Sequence, residues 1–171
     1  MLSFDIRSLT EHAVAVDDAL SVDDPVWQDG DPKPAAPVQV TGRLSAAGPG
    51  RFYWHGSIEG VVALSCSRCL GDTEGHVSDE AHLIFAEAGT EGVEDDPDVF
   101  LLDDRSAELD LRPAVREQWL LNVPGYALCR SDCQGLCLTC GAELNLGPCD
   151  CASSAADPRW DALRKSRGEQ G

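Results

Sequence analysis

Cysteine is the residue that most constrains how this chain can fold. Six of its eight cysteines lie between Cys129 and Cys151, and the other two form the pair Cys66-x-x-Cys69 far upstream. So many thiols in one short segment add little to an apolar core, and they indicate a metal site or a set of disulfides. Eight cysteines are enough for two sites of four thiolates.

The redox compartment decides between metal and disulfides. The N-terminal run Met1-Leu-Ser-Phe-Asp-Ile-Arg7 carries an acidic residue early and lacks the apolar stretch of a signal peptide. No stretch approaches the length of a membrane-spanning helix. We therefore expect a cytoplasmic protein with no membrane partner, in which thiols stay reduced and metal binding is favoured over disulfides.

The spacing within the cluster indicates zinc, which binds four thiolates in a tetrahedron at about 2.3 Å each. Cys137-x-x-Cys140 followed by Gly141 has the pattern of a chelating turn, because amide N–H groups after the second cysteine point at the sulfurs and glycine folds tightly there. Cys149-x-Cys151 is a second and tighter chelating unit. The preferred zinc site therefore consists of Cys137, Cys140, Cys149 and Cys151.

The remaining thiols define a possible second site, which would tie the sheet to the C-terminal segment. Its members are Cys66, Cys69, Cys129 and Cys133. Three alternatives stay open: Cys133 replaces Cys149 or Cys151, only one ion is bound, or the thiolates hold an iron–sulfur cluster. A closed site of four thiolates is structural, so we expect one zinc ion, or two, to supply folding energy rather than catalysis.

Sites for enzymatic chemistry are not indicated. A dithiol redox role for Cys66 and Cys69 would need the first cysteine at a helix N-terminus within a βαβ unit, whereas strand patterns flank this pair. The chain has neither a phosphate-binding glycine-rich motif nor Gly-x-Ser-x-Gly. The histidines read as sheet or surface residues: His12, His55, His76 and His82. We expect a protein that is not an enzyme.

Apolar periodicity predicts an α+β fold. Residues 38–45, 52–64 and 77–85 alternate apolar and polar side chains, which is typical of strands with one solvated face, and a Gly/Pro turn joins the first two. After a short apolar run at 99–102, the period changes to that of a helix from Leu111, with Asp110 as its cap and Pro124 beyond its end. We expect a mainly antiparallel sheet with one packed helix; closure into a barrel stays open.

Composition divides the chain into three parts. Residues 1–36 form an acidic lead-in with one short strand at 12–16, and residues 37–125 form the sheet and helix. Residues 126–171 form the cysteine-rich zinc segment and a tail with a short helix from Asp157. The tail ends in a basic run that includes Arg164, Lys165 and Arg167.

The charge of the chain restricts its partners. A formal net charge of -17 disfavours a large phosphate-binding surface and favours a basic partner. The aromatic run Phe52-Tyr53-Trp54 beside Arg51 has side chains that could stack on single-stranded RNA, but alternation assigns them to the core and the sheet face. We expect direct RNA contact to be limited to the zinc segment or the tail.

These motifs together resemble a known family, the YceD-like proteins, which are described as large ribosomal RNA subunit accumulation proteins. The resemblance extends from about Phe4 to Leu163 and matches the cysteine-rich branch of the family. Its most specific part is the C-terminal signature. The matching residues are Cys129, Cys133, Gly135-Leu136-Cys137, Cys140-Gly141, Leu144-Asn145, Pro148-Cys149, Cys151 and Asp157-Pro-Arg-Trp160, with Cys66-Ser-Arg-Cys-Leu70 upstream.

This resemblance implies a non-catalytic bacterial or organellar factor for ribosome assembly or precursor processing, needed for normal levels of large-subunit ribosomal RNA. The implied partner is a basic ribosomal protein or a pre-large-subunit particle. A chaperone-like role for the acidic surface, shielding a basic protein, is the alternative and is compatible with the first. Because some family members lack several of these cysteines, metal binding is implied for the cysteine-rich branch alone.

Overall fold

The computed structural model describes residues 1–90, 98–103, 106–151 and 160 of the chain. The predicted tail helix and its basic run lie outside these residues, as does most of the acidic loop before residue 98. The elements, in chain order, are β1 Ser3–Asp5, α1 Ile6–Glu11, β2 Val14–Leu20, β3 Val38–Gly48, β4 Arg51–Ser65, β5 Asp72–Glu87, β6 Val99–Leu102, β7 Glu108–Asp110 and α2 Arg112–Asn122.

A five-stranded sheet in the order β2-β3-β4-β5-β6 dominates the structure. The first four strands pair antiparallel, whereas β6 runs parallel to β5. The α+β prediction is confirmed, and the sheet is open rather than closed into a barrel. Its outermost strands, β2 and β6, have one neighbour each, and β6 has only 4 residues with which a closing partner could pair. Strands β1 and β7 form a separate antiparallel pair.

The hydrophobic core lies on one face of this sheet, where α2 packs. Along β3 and β4 alternate side chains are buried, as the sequence pattern predicts. Trp119 of α2 is fully buried, and its Nε1 donates to the carbonyl oxygen of Pro32 at 2.8 Å. The ring of Trp27 meets that of Trp119 edge to face, with centroids 6.0 Å apart. Burial of these apolar faces is the main force that holds sheet and helix together.

The N-terminal segment contains more structure than the predicted lead-in with one short strand. It forms β1, α1 and a β2 strand that extends to Leu20, and it buries Leu2, Ile6 and Leu9 in the core. Asp5 caps α1 by accepting a hydrogen bond from the Ser8 amide at 2.8 Å. These elements lie in residues 3–20, ahead of the stretch at 23–34 in which acidic residues alternate with Pro and Gly and on which the prediction of a lead-in was based.

Ion pairs then join the acidic loop after β2 to α2. Asp31 accepts two hydrogen bonds from Arg116, at 2.7 and 2.9 Å, and this pairing holds the pKa of Asp31 below its usual value. Asp24 lies 3.5 Å from the guanidinium of Arg112. Two of the acidic residues that suggested a flexible lead-in therefore have fixed partners on the helix.

At the start of α2, Leu111 rather than Asp110 occupies the cap position. Asp110 nevertheless accepts a hydrogen bond from the Arg112 amide at 3.0 Å, so one free N–H of the first turn is satisfied. The helix ends at Asn122, before Pro124, as predicted.

The close approach of the paired strands β3 and β4 at Gly56 gives the first prediction. A Cβ at Gly56 would lie 2.0 Å from the Thr41 carbonyl oxygen and 2.6 Å from Cζ2 of Trp54. We expect Gly56→Ala to lower the free energy of unfolding by about 3 kcal/mol or more, measured by urea denaturation, because backbone must move to admit the methyl group. Gly125→Ala is the matched control, since a Cβ there meets nothing within 4 Å. Equal urea midpoints for the two variants would contradict this close approach of the strands.

Candidate metal centres

Two Cys-x-x-Cys turns with the same backbone geometry organise the cysteines. In the turn between β4 and β5, the Leu70 amide donates to the Cys66 carbonyl at 2.9 Å. In the C-terminal turn, the Gly141 amide donates to the Cys137 carbonyl at the same distance, 2.9 Å. Both donor residues adopt a left-handed backbone conformation, with φ of 60° at Leu70 and 73° at Gly141. Each turn thereby directs its two sulfurs to one side.

The first group of thiols, which we call the sheet centre, consists of Cys66, Cys69, Cys129 and Cys133. All four sulfurs lie within 4.8 Å of one another. The Sγ atoms of Cys66 and Cys133 are 3.7 Å apart, and so are those of Cys69 and Cys129. The group joins the β4–β5 turn to the segment after α2, because each part of the chain contributes two cysteines.

The second group, which we call the terminal centre, consists of Cys137, Cys140, Cys149 and Cys151. Its sulfurs also lie within 4.8 Å of one another, and all come from one stretch of chain. The two groups are the same sets that spacing suggested, and Cys133 lies in the sheet centre rather than beside Cys149 or Cys151. Metal ligation by these residues stays a prediction, but both groups could hold a metal ion.

The geometry of the sheet centre fits a single ion. A tetrahedron with Zn–S bonds of about 2.3 Å has sulfur–sulfur edges of about 3.8 Å, and the two separations of 3.7 Å match those edges. A disulfide would need sulfurs about 2.05 Å apart. An iron–sulfur cluster distributes its thiolates over several iron atoms and would spread them more widely. Four soft thiolate donors around one position suit zinc.

The first cysteine of each turn has a pKa well below that of an ordinary thiol. Backbone N–H groups of Cys69, Cys129 and Arg68 donate to Cys66 and lower its pKa to about 6. Backbone N–H groups of Cys140 and Thr139 likewise lower the pKa of Cys137 to about 6. Hydrogen bonds from fixed amides stabilise the thiolate, which is the form that binds metal.

The last cysteine of the terminal centre behaves in the opposite way. The pKa of the Cys151 thiol is raised to about 12, mainly by a hydrogen bond with Cys140 and to a smaller extent by burial. Four neighbouring sulfurs therefore cannot all be thiolates at neutral pH unless a cation compensates their repulsion.

Hydrogen bonds also connect the β4–β5 turn to the C-terminal segment. The Ser67 amide donates to the Ala127 carbonyl at 2.8 Å, and the Leu136 amide donates to the Arg68 carbonyl at 3.2 Å. The Arg68 guanidinium donates to the Cys133 carbonyl at 2.9 Å. Arg68 thus contacts the C-terminal segment through both backbone and side chain. The sequence showed it only as part of the Cys66-Ser-Arg-Cys69 motif.

The histidines lie apart from both centres, and no described histidine belongs to either cysteine group. His55 and His82 stack on the outer sheet face with ring centroids 4.3 Å apart. The Nε2 of His55 is 3.0 Å from a Glu80 carboxylate oxygen, and the Nδ1 of His82 is 2.5 Å from the Tyr53 hydroxyl. This is an arrangement of surface sheet residues, as the sequence indicated.

The aromatic run does not form one stacking surface. Phe52 and Trp54 are buried in the core, while Tyr53 between them lies half-buried on the outer face. Alternation along β4 sends neighbours to opposite faces, so the three rings cannot bind one strand of RNA together.

Comparison with known proteins assigns the family. The family model for the large ribosomal RNA subunit accumulation protein YceD matches residues 54–165, more than half of the chain, and the match includes all eight cysteines. The chain belongs to the YceD family. The resemblance predicted from the cysteine signature is thereby confirmed. The eight cysteines of the chain are consistent with the cysteine-rich branch of the family.

Several curated proteins are similar to this YceD family member. A maize protein named large ribosomal RNA subunit accumulation protein YCED homolog 1, chloroplastic, is 30% identical over 70% of this chain and 50% of its own length. An uncharacterized Mycobacterium leprae protein is 30% identical over 63% of this chain and 49% of its own length. The uncharacterized protein YlbN of Bacillus subtilis is 24% identical over 95% of this chain and 92% of its own length.

The chain thus spans about half the length of the first two relatives. No solved structure matches it significantly. Among the described residues of this YceD protein, none of the helices combines the length and apolar character needed to cross a membrane.

The left-handed residue at Leu70 gives a prediction about the sheet centre. Leu70 is 66% exposed, so its side chain offers little burial to offset a φ of 60°. We expect Leu70→Val to destabilise the protein by about 1–3 kcal/mol in thermal unfolding, because a β-branched residue tolerates this conformation poorly. Leu70→Gly should be tolerated without loss.

Leu138→Val is the matched control, since Leu138 occupies the other Cys-x-x-Cys turn, is fully exposed and has no positive φ. If Leu70→Val and Leu138→Val shifted the unfolding midpoint equally, the left-handed conformation of Leu70 would be contradicted.

Proposed function

We propose that this protein is a non-catalytic ribosome-assembly factor that supports the accumulation or processing of large-subunit ribosomal RNA. The observation that carries this proposal is the YceD family match over residues 54–165. The name of the maize relative points in the same direction. Cytoplasmic action in a bacterium is consistent with this role.

We further propose that each cysteine group holds one structural zinc ion, with the sheet centre and the terminal centre as ligand sets. Four thiolates leave no open position for substrate, so the bound ion would supply folding energy and no catalytic step. The lack of burial in this segment supports a metal-stabilised fold, because among residues 125–151 only Cys133 and Gly135 are buried. A segment with so little apolar burial requires another source of stability.

The proposed partner is a basic ribosomal protein or a pre-large-subunit particle. The net charge of -17 favours such a partner and disfavours broad contact with RNA. Direct RNA contact, where it occurs, would be confined to the C-terminal segment. The same charge supports a second candidate, in which the protein shields a basic protein before assembly as a chaperone would.

A dithiol redox role is less well supported. The pair Cys66-x-x-Cys69 lies between two strands, away from any helix N-terminus, and its sulfurs belong to a group of four. A sulfur that ligates zinc is protected from the disulfide exchange that such a role requires.

Depletion in the native cell tests the function. We expect loss of the protein to lower large-subunit ribosomal RNA relative to small-subunit RNA, because fewer precursor particles would mature. The measurement is quantification of both RNAs and sedimentation of ribosomal subunits. Re-expression of the wild-type chain should restore the ratio, and unchanged RNA and subunit profiles after deletion would contradict the proposal.

The same sedimentation experiment separates the two partner models. A chain held by a pre-large-subunit particle should co-sediment with it at low salt and dissociate as salt screens the charges. Association with a free basic protein, away from particles, would favour the chaperone model.

Serine substitutions test the zinc assignment. We expect two zinc ions per chain in freshly purified protein, by elemental analysis. Cys137→Ser should leave one ion and an intact sheet, because the terminal centre uses one local segment. Cys66→Ser should also leave one ion but release the segment after α2 from the sheet, detected as loss of amide protection around residues 126–136.

Protein that contains no metal yet keeps this segment protected would contradict both centres. Loss of both ions in Cys137→Ser would instead contradict the division into two separate ligand sets.

A further inference from the structure

A single side chain reaches from one cysteine group to the other. Asn145 lies in the loop between Cys140 and Cys149, so its backbone belongs to the terminal centre. Its Nδ2 donates to the sulfur of Cys133, a member of the sheet centre, at 3.4 Å. Among the described residues, this is a direct polar contact between the loop of one centre and a thiol of the other.

The orientation of the Asn145 amide is well determined by its other partners. Its Oδ1 accepts from the Gln134 amide at 2.8 Å and from the Arg130 guanidinium at 2.8 Å. Two donors on the oxygen leave the NH₂ group as the end that faces sulfur, so the amide cannot be flipped without losing both bonds. Its Nδ2 also lies 3.3 Å from a Glu143 carboxylate oxygen.

The loop that carries Asn145 is flanked on both sides by cysteines of the terminal centre. The loop carries little apolar burial, as Leu146 is 85% exposed. Its backbone is held by the Leu144 amide, which donates to the Gly135 carbonyl at 2.9 Å, and by the Leu146 amide, which donates to the Glu143 carbonyl at 3.2 Å. A cation held by the cysteines on both sides of this loop would close its ends and lower the entropy cost of ordering it.

We propose that Asn145 is a positioning residue that couples metal binding at the two centres. This inference rests on the proposed zinc sites. An ion at the terminal centre orders the loop, the ordered loop holds the Asn145 N–H against Cys133, and that hydrogen bond stabilises Cys133 as a ligand of the sheet centre. Hydrogen bonds to ligands commonly change metal affinity by about 10- to 100-fold when they are lost. By linkage, an ion at the sheet centre must strengthen the terminal centre equally.

Cobalt titration of the full-length protein, with zinc as competitor, tests the coupling. Tetrahedral cobalt–thiolate sites have an absorption spectrum that reports binding directly. In the wild-type background, Cys137→Ser/Cys140→Ser should weaken cobalt binding at the sheet centre by about tenfold, because the loop is no longer ordered. In an Asn145→Ala background the same pair of serines should cause no further loss.

Two further variants keep the test interpretable. Asn145→Asp has the same shape and keeps the acceptor for Gln134 and Arg130, but it places a carboxylate where the N–H faced Cys133. It should lose at least as much sheet-centre affinity as Asn145→Ala, because the new carboxylate oxygen faces both the Cys133 sulfur and the Glu143 carboxylate. Asn122→Ala is the matched control, since Asn122 donates to the Gln118 carbonyl within α2 and contacts no thiol.

The outcomes separate the coupling from the proposals beneath it. Two bound ions with additive losses, or an Asn145→Asp protein with wild-type affinity, would overturn the coupling alone. A wild-type chain that binds no metal would overturn the zinc centres and the coupling together. Neither result bears on ribosomal RNA levels, which are measured by depletion.

Discussion

Electrostatic repulsion among neighbouring thiolates is the constraint on which the segment after α2 depends. Eight sulfurs are gathered into two groups in which every sulfur lies within 4.8 Å of its partners. Amide donors favour the first thiolate of each turn, and each added charge disfavours the next. Under the proposed metal binding, a cation at the centre of each group would offset this repulsion and stabilise the folded segment. The sheet is stabilised instead by the burial of its own hydrophobic core.

The two parts of the molecule are therefore stabilised by different forces. Strands β2–β5, the N-terminal segment and α2 bury a continuous apolar cluster. The segment after α2 buries almost nothing and reaches the sheet through the β4–β5 turn, where Cys66 and Arg68 contact it. An ion bound at the sheet centre, as proposed, would fix the orientation of the segment after α2 relative to the sheet.

Much of this architecture could be predicted from the sequence, for identifiable reasons. Alternation along β3, β4 and β5 is a strong signal because each strand has one buried and one solvated face. The terminal group was predicted from the spacing of its two chelating units, Cys137-x-x-Cys140 and Cys149-x-Cys151, and the sheet group consists of the four cysteines that remained. Strand β1 and helix α1 were missed because they are only 3 and 6 residues long, too short for a hydrophobic period to show. Asn145 stood out only as part of the family signature, because the role proposed for it depends on a contact with Cys133 that no local pattern encodes.

X-ray absorption at the zinc edge tests the central claim most directly, because it counts and identifies the atoms bound to the metal in the purified protein. The account predicts a shell of four sulfur atoms at about 2.3 Å and no nitrogen or oxygen neighbour. Light atoms in that shell, or metal–metal scattering from a cluster, would contradict closed four-thiolate sites.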